Sequence, residues 1–359
     1  MWSVAIHDTQ SGEFLSLVQP SGGAWGRGDV TSRQHTFPLR ADGLTRSVRR
    51  DLFRPWDRVL VQRWTSADGT VTPVYAGLID GTPTYDRATG LLTVSHIDLR
   101  SLTARRMLFG VGSYAPTGTT VCTNLSLRGI ARRVIYLGFV YEYSSAWPVP
   151  VNLPAEEAGS VSRTYYHYEF QTVDQILSDI EKENGGPDVE FQPKYSSDYT
   201  LSWDVLIGTP YLTGPTFETN LASQSTPTGV TVAENAQKSA TGIFTIGKGE
   251  EQDMRVGSFA LDVSEGLSRD YAVSHKDVDN QTRLNSLAQA DLGAVASPTV
   301  QWTMNVQARD VSPAALRVGS TISTFSKDDE WIDDGLTMHR VLAFTGDFTD
   351  TISLQLEVQ

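Results

Sequence analysis

The sequence predicts a mainly β protein with a few helices, a β-rich α+β fold that resembles two small barrels flanking a helical middle region. One observation is a β unit that occurs twice, once near each end of the 359 residues. The other is a set of amphipathic helix patterns that lie between the two copies. With 40% hydrophobic residues, a chain of this length can build more than one core.

Each copy of the β unit contains three strand patterns and one tight turn. The first copy has strands at 56–61, 74–79 and 91–94, with Asp68-Gly69 in its turn. The second has strands at 318–322, 338–342 and 351–356, and an acidic turn that ends at Asp334-Gly335. Two antiparallel meanders also align by chance, because every strand alternates apolar and polar residues. Duplication and coincidence are therefore both open at this point.

Turn residues and helix caps divide the chain into four predicted domains. These are an N-terminal barrel (1–108), a helix-containing α+β domain (109–208), a linking region with an extended loop, strands and a helix (209–295), and a second barrel (296–359) completed by strands from 242–263. Helices are predicted over 127–137, 172–184 and 281–292. Thr172 with Gln175 forms a capping-box pattern, and Gly293 is expected to end the third helix.

The formal net charge of −13 is unevenly distributed. Residues 1–110 hold 13 arginines and 10 acidic residues, whereas the rest of the chain holds 16 basic and 32 acidic residues. Because neutralisation of phosphates by Lys and Arg drives DNA affinity, this balance argues against a DNA-reading protein. DNA that meets this protein is expected to slide past it without specific binding.

Cysteine content and the N-terminal pattern exclude several classes of protein. Cys122 is the only cysteine, so the chain has no intramolecular disulfide and no four-thiolate zinc site. The N-terminus lacks a basic region followed by an apolar core, and no stretch has about 18 consecutive apolar residues. We therefore expect neither secretion by the general route nor a membrane anchor.

Motifs typical of enzymes are weak in this sequence, and we expect no catalysis, cofactor or metal. Gly242–Gly249 resembles a phosphate-binding loop, but Gly249 replaces the hydroxyl residue that holds Mg²⁺. The six histidines are scattered, without metal-ligand spacing on one helix. Acidic residues that meet only in space could still form the carboxylate pair of a glycosidase, which leaves a cell-wall hydrolase as an alternative.

A few side chains are candidates for surface contacts. Trp147 and Trp331 lie in predicted loops and could stack on sugars, which keeps a carbohydrate-binding module as another alternative. Arg128, Arg132 and Arg133 share the polar face of the 127–137 helix, where they are either solvated or contact an acidic partner. The acidic segment 328–335 is a solvated hairpin tip, a face for a basic partner or a weak metal site.

Four stretches of soft strand and helix pattern together span most of the chain: Arg58–Gly81, Tyr168–Gly186, Leu201–Gly208 and Arg317–Val341. In these stretches the chain resembles the tail-hub (minor tail or baseplate hub) proteins of long-tailed bacteriophages, especially phages of actinobacteria. This resemblance implies a non-enzymatic virion protein at the tail tip, which assembles in the host bacterial cytoplasm. It implies a homotrimer whose two barrels per chain form a pseudo-sixfold ring.

The same resemblance implies a set of partners. A distal tail protein would lie above the ring, tape measure protein in its lumen, and tail-tip or fibre proteins below it. DNA would leave through the central channel during ejection, and an acidic wall would repel its phosphates. Since the sequence ends directly after the second barrel, no lysin or receptor-binding domain is expected to be appended.

Overall fold

Strands are the commonest secondary structure of the described chain, and four α-helices of seven or more residues interrupt them, which confirms the mainly β prediction. The computed structural model describes the chain except residues 29–30, 82, 111, 141–147, 184, 223–226, 238, 262–266, 277 and 297–298. Two compact units are present. The first contains residues 1–229, 304–357 and 359, and the second contains residues 230–303 and 358.

The N-terminal region forms an eight-stranded sheet, the first sheet. Its region contains β1 (Trp2–Asp8), β2 (Phe14–Val18), β3 (Gly22–Gly23), β4 (Trp25–Arg27), β5 (Arg33–Pro38), α1 (Arg46–Leu52), β6 (Arg58–Thr65), β7 (Val71–Ile79), β8 (Thr84–Asp86) and β9 (Leu91–Asp98). The strand order is β2-β1-β6-β7-β9-β5-β3, with β8 beside β9, and β4 is not part of this sheet. Helix α1 is not among the predicted elements, because its seven residues are mostly polar.

Both faces of the first sheet are covered, which explains the continuous apolar run of its central strands. On one face, Leu60 and Ile79 pack with Phe53, directly after α1. On the opposite face, Val61 and Leu78 join the core of the middle region. The sheet is therefore fixed to the elements that follow it in the chain.

The middle region packs two helices and five short strands against that second face. Its elements are β10 (Thr119–Leu125), α2 (Leu127–Phe139), β11 (Val151–Asn152), β12 (Val161–Tyr166), α3 (Val173–Glu181), β13 (Val189–Tyr195) and β14 (Leu201–Ile207). The capping box is present, since Thr172 Oγ1 accepts from the Gln175 amide and Gln175 Oε1 accepts from the Thr172 amide. Four buried side chains then hold α3 to the core: Val173, Ile176, Leu177 and Ile180.

Replacing Thr172 with Ala is expected to lower the free energy of unfolding by about 1 kcal/mol, because one orphan amide of α3 loses its side-chain acceptor. Urea denaturation of the purified protein measures the difference. Thr172→Ser keeps the hydroxyl and serves as the matched control. Equal stability of the Ala variant and the wild type would show that solvent replaces the cap.

The rest of the chain contributes a second large sheet and a smaller one. The elements are β15 (Thr216–Asn220), β16 (Thr228–Asn235), β17 (Gly242–Ile246), β18 (Val256–Ala260), β19 (Asp270–Ser274), α4 (Gln281–Val295), β20 (Thr299–Gln307), β21 (Thr321–Ser326), β22 (Gly335–Gly346) and β23 (Thr351–Val358). The second sheet has the order β15-β21-β22-β23-β20-β16, and β4 pairs with β22. The smaller sheet has the order β18-β17-β19.

The two large sheets, from opposite ends of the chain, share a strand order. In the first sheet, β6, β7 and β9 lie side by side, and β5, which precedes them in the chain, flanks β9. In the second, β21, β22 and β23 lie side by side, and β20, which precedes them, flanks β23. The strands beyond this shared set differ, since β1 is antiparallel to β6 but β15 is parallel to β21.

Three expectations for residues 209–295 are wrong. The strands within 242–263 do not complete the second sheet, because β17 and β18 pair with each other and with β19. The predicted loop instead contains β15, paired with β21 about a hundred residues later, and β16. Gly293 does not end α4, which continues to Val295. Pairing with sequence-distant strands gave these polar segments a structure that local pattern does not indicate.

The second unit has a small core of its own. Strand β17 pairs antiparallel with β18 and parallel with β19, and α4 covers the sheet. Thr245 Oγ1 donates to the Leu284 carbonyl at 2.8 Å, which ties the central strand to the helix. The core consists of Ala240, Ile243, Ala288 and Leu292.

Candidate functional site: the joint between the two large sheets

The two large sheets meet within the first unit at a set of contacts that we call the joint, formed by β4, the 347–350 turn and the ion pairs of Arg27 and Arg340. Strand β4 leaves the N-terminal region and pairs antiparallel with the end of β22, so that Trp25 lies opposite Gly346. Gly28 follows with φ +85°, and a Cβ there would lie 2.1 Å from the Leu342 carbonyl oxygen. Only glycine permits this close approach of the two backbones.

Aromatic side chains fill the joint. Trp25 is fully buried, and its ring centroid lies 5.1 Å from that of Trp2 and 6.1 Å from that of Phe344. The indole nitrogens of both tryptophans reach the 347–350 turn, where Trp25 Nε1 donates to the Asp347 carbonyl at 2.9 Å and Trp2 Nε1 donates to the Thr349 carbonyl at 2.8 Å. Each large ring therefore has its polar atom satisfied, as burial requires.

A buried ion pair connects the joint to the middle region. Arg27 Nε donates to Glu190 Oε1 at 2.9 Å, and the side chains are 3% and 10% exposed. The guanidinium carbon lies 5.6 Å above the Phe344 ring. Burial raises the pKa of Glu190, and the Arg27 charge opposes this shift. One cation thus holds β4, β13 and β22 together.

A second arginine ties the same regions nearer the surface. Arg340 of β22 donates to Asp188 at 2.7 Å and to Glu357 at 2.8 Å, and its guanidinium carbon lies 4.3 Å from the Tyr211 ring centroid. Asp188 also accepts from the Leu212 amide at 3.1 Å. These contacts fix the orientation of the second sheet against the middle region.

Buried titratable side chains cluster inside the first sheet. His35 Nδ1 lies 2.8 Å from His96 Nε2, and His96 Nδ1 lies 2.8 Å from the Tyr75 hydroxyl. Burial lowers the pKa of His35 to about 4 and lowers that of His96 well below its usual value. Burial raises the pKa of Asp98 to about 7, and Glu190 adds to this effect. His35, His96 and Tyr75 are buried in the packed interior of the sheet.

The candidate surface residues are separate from the joint. Arg128 donates to the Ile207 carbonyl at 3.0 Å and pairs with Glu157, and Arg132 donates to the Pro154 carbonyl at 3.2 Å. The Arg133 guanidinium lies over the Tyr136 ring. Trp331 is 74% exposed in the loop between β21 and β22. Trp147 lies outside the described residues.

Sequence reasoning did not identify the joint, because its residues are far apart in the chain. Arg27 and Glu190 are separated by 163 positions, and Trp25 and Asp347 by 322. The sequence around Trp25 contains no pattern that indicates its partner. Among the described residues, no group of three or more His, Cys, Asp or Glu side chains could hold a metal ion. No helix in the described ranges is long and apolar enough to cross a membrane.

No protein-family model and no curated protein sequence matches the chain. Among solved structures, it is similar to the 43 kDa tail protein of prophage MuSo2 from Shewanella oneidensis, with TM-score 0.59, 10% identity, and coverage of 99% of this chain and 98% of that one. It is similar to the tail protein from Neisseria meningitidis MC58, with TM-score 0.56, 13% identity, and coverage of 99% and 96%. It is also similar to a chain of the Francisella PdpA–VgrG complex, with TM-score 0.55, 8% identity, and coverage of 100% and 58%. At these identities the likeness establishes the fold, which is that of phage tail proteins.

Proposed function

We propose that this protein is a structural component of a phage tail, the distal hub, in which three chains form a ring of six related β-sheets. The observation that carries the proposal is the pair of large sheets with a common strand order, which β4 and the 347–350 turn connect within the first unit. With two such sheets per chain, a trimer has six similar sheets around its axis. This arrangement suits a junction between sixfold and threefold parts of a tail. Closure of this ring needs heterologous contacts between unlike sheets of adjacent chains.

The joint supports this role because it fixes the two sheets as a rigid pair. The buried ring of Trp25, its contact with Trp2 and the Arg27–Glu190 pair leave little freedom for one sheet to rotate on the other. If the two sheets of each chain could rotate on each other, every chain would lose orientational entropy when the ring closes. Preformed pairs reduce this cost, so that three intermolecular contacts suffice.

The charge distribution suits a channel for DNA. The chain carries 42 acidic and 29 basic residues, with the acidic excess beyond residue 110. A wall with this balance repels phosphates and lets DNA pass without adhering. In this proposal the distal tail protein, the tape measure protein and the tail-tip or fibre proteins are the neighbours of the ring within the virion, at a tail tip of the long-tailed, actinobacteriophage-like type.

The purified protein is expected to form a trimer of three 39.4 kDa chains. Multi-angle light scattering over a concentration series gives the mass, and negative-stain imaging gives the symmetry. We expect threefold particles with six peripheral densities. A stable dimer with twofold symmetry, or a monomer at every concentration, would contradict the ring.

A carbohydrate-binding role is the second candidate, and the exposure of Trp331 favours it. Exposed aromatic rings stack on sugar faces. Binding of the wild-type protein to a glycan array, with loss of the signal in Trp331→Ala, would support this role. A wild-type protein that binds no glycan would exclude sugars as the ligand of Trp331.

A further inference from the structure

A cleft of about 930 Å³ lies beside α1 at one end of the first sheet. Its wall combines five arginines with apolar and aromatic side chains such as Phe53, Pro83 and Tyr85, and no carboxylate is among the lining residues. This cleft is strongly cationic on a chain whose net charge is −13. Such a surface suits a ligand that has carboxylates and a large apolar group.

The arginines of the cleft are not all neutralised within the chain. Arg49 pairs with Asp42, and Arg54 pairs with Asp51. Arg46 and Arg50 are exposed, and their side chains make no hydrogen bond or ion pair with the part of the chain that the structure describes. These two guanidinium groups are therefore available to an external anion.

The loop between β21 and β22 has the complementary composition. It carries five carboxylates around an exposed tryptophan in the run Asp328-Asp329-Glu330-Trp331-Ile332-Asp333-Asp334. Asp329 accepts from the Trp331 and Ile332 amides at 2.9 Å each, and Asp334 accepts from the Asp328 amide at 2.7 Å. These bonds hold the loop in shape, whereas Glu330 and Asp333 make no hydrogen bond or ion pair within the described chain.

The contact inside one chain indicates how sheets dock on each other. The 347–350 turn, which joins β22 to β23, packs on the first sheet through Thr349 and Phe348. Thr349 bonds to Trp2, whose ring lies 4.7 Å from that of Trp64 near the end of β6. A turn of the second sheet therefore docks beside the β6–β7 end of the first sheet.

The shared strand order indicates where the equivalent contact between neighbouring chains would lie. Because β6, β7 and β9 correspond to β21, β22 and β23, the connection 80–90 of the first sheet corresponds to the 347–350 turn. If the ring repeats one docking mode, the connection 80–90 of one chain lies beside the β21–β22 loop of its neighbour. Pro83 and Tyr85 of that connection line the arginine cleft. The acidic loop is thus brought to the cleft.

We propose that the arginine cleft of one chain binds the acidic 328–334 loop of a second copy, with Arg46 and Arg50 facing the carboxylates and Trp331 against the apolar wall. This inference rests on the proposed ring and identifies the contact that closes it. It explains why the loop carries both charge and an exposed indole. Since both surfaces are exposed, the contact weakens with added salt.

Reversal of either side of the contact is expected to weaken the trimer. Arg46→Glu with Arg50→Glu in one variant, and Glu330→Lys with Asp333→Lys in another, should each lower the association constant by about tenfold or more, because like charges then face each other. A protein with all four substitutions restores opposite charges and the original net charge. Its association constant should return to within about threefold of the wild type. Sedimentation velocity at low and high salt measures all four proteins.

The matched control is Lys182→Glu with Arg283→Glu, which changes the net charge equally at two exposed cations outside the cleft. This control should assemble like the wild type. A wild-type trimer that none of the reversals weakens would overturn the cleft contact and leave the ring intact. Weakening of both single-sided variants without recovery in the combined protein would also overturn the pairing. A wild type that forms no trimer would instead contradict the ring itself.

Discussion

Replacement of Arg27 with Met is expected to lower the free energy of unfolding by about 3–5 kcal/mol, because it leaves the Glu190 carboxylate buried without its cation. The joint gives Glu190 little access to water, with a side chain that is 10% exposed. Methionine keeps most of the packing volume against Phe344, so the loss reports charge more than a cavity. Urea denaturation at pH 7 measures it, with the midpoint and slope compared between variants.

A second substitution separates the charge from the shape of the site. Arg27→Met with Glu190→Gln removes both charges and should recover most of the lost stability. Arg54→Met is the exposed control, since Arg54 pairs with Asp51 where both side chains are about half exposed, and it should cost about 1 kcal/mol or less. If Arg27→Met costs no more than Arg54→Met, the buried pair does not hold the joint.

Acidification from pH 7 to pH 4 is expected to destabilise the protein strongly, because its buried histidines resist protonation. Burial lowers the pKa of His7, His35 and His339 from 6.5 to about 4 each. Between these values the unfolded chain binds protons that the native state does not, so stability falls as the pH falls from about 6.5 to about 4. For His35 the shift corresponds to an upper limit of about 3 kcal/mol.

Asp98 acts in the opposite direction. Burial raises its pKa from 3.8 to about 7, so the native state holds a proton that the unfolded chain has lost across that range. Its contribution to stability therefore falls as the pH rises from about 4 to about 7. Asp98 is a single group, whereas several buried histidines act in the other direction. Burial also lowers the pKa of His96. The net expectation is lower stability in acid.

Asp98→Asn distinguishes the two contributions. The amide oxygen can still accept from the Arg100 amide, which lies 2.7 Å from Asp98 Oδ1. We expect this variant to be more stable than the wild type above pH 7 and to lose stability more steeply on acidification. Urea denaturation at several pH values gives both curves, with Asp179→Asn on the exposed side of α3 as the control. A flat stability curve between pH 7 and pH 4 in the wild type would contradict the role of the histidines.

Local pattern predicted the fold where neighbours in sequence determine structure. The capping box at Thr172 and the apolar stripe of α3 give that helix its start and its buried face, and both are present. The likeness of the two β units was visible because the three strands lie close together in sequence at each end of the chain. Strand β15 was missed because its pairing with β21 arises only in the folded chain.

The candidate site is formed by residues that are far apart in the chain and close together in the fold. A single sequence does not show which of them will meet. Nothing near Arg27 indicates that Glu190 will neutralise it, and Trp25 gives no sign that its strand belongs to the other sheet. The excess of arginine in residues 1–110 was visible in the sequence, but the position of the arginine cleft was not. Composition can reveal an excess of charge, whereas its arrangement requires the tertiary structure.

The pairing of β4 with β22 makes the order of synthesis matter. Residues 25–27 leave the ribosome about 320 residues before their partners at 344–346. In the nascent chain Trp25 therefore stays without its strand partner until residues 344–346 have emerged. The pairing also constrains recombination between related genes. A crossover between the codons for β4 and β22 replaces one of the two paired strands and leaves the other unchanged.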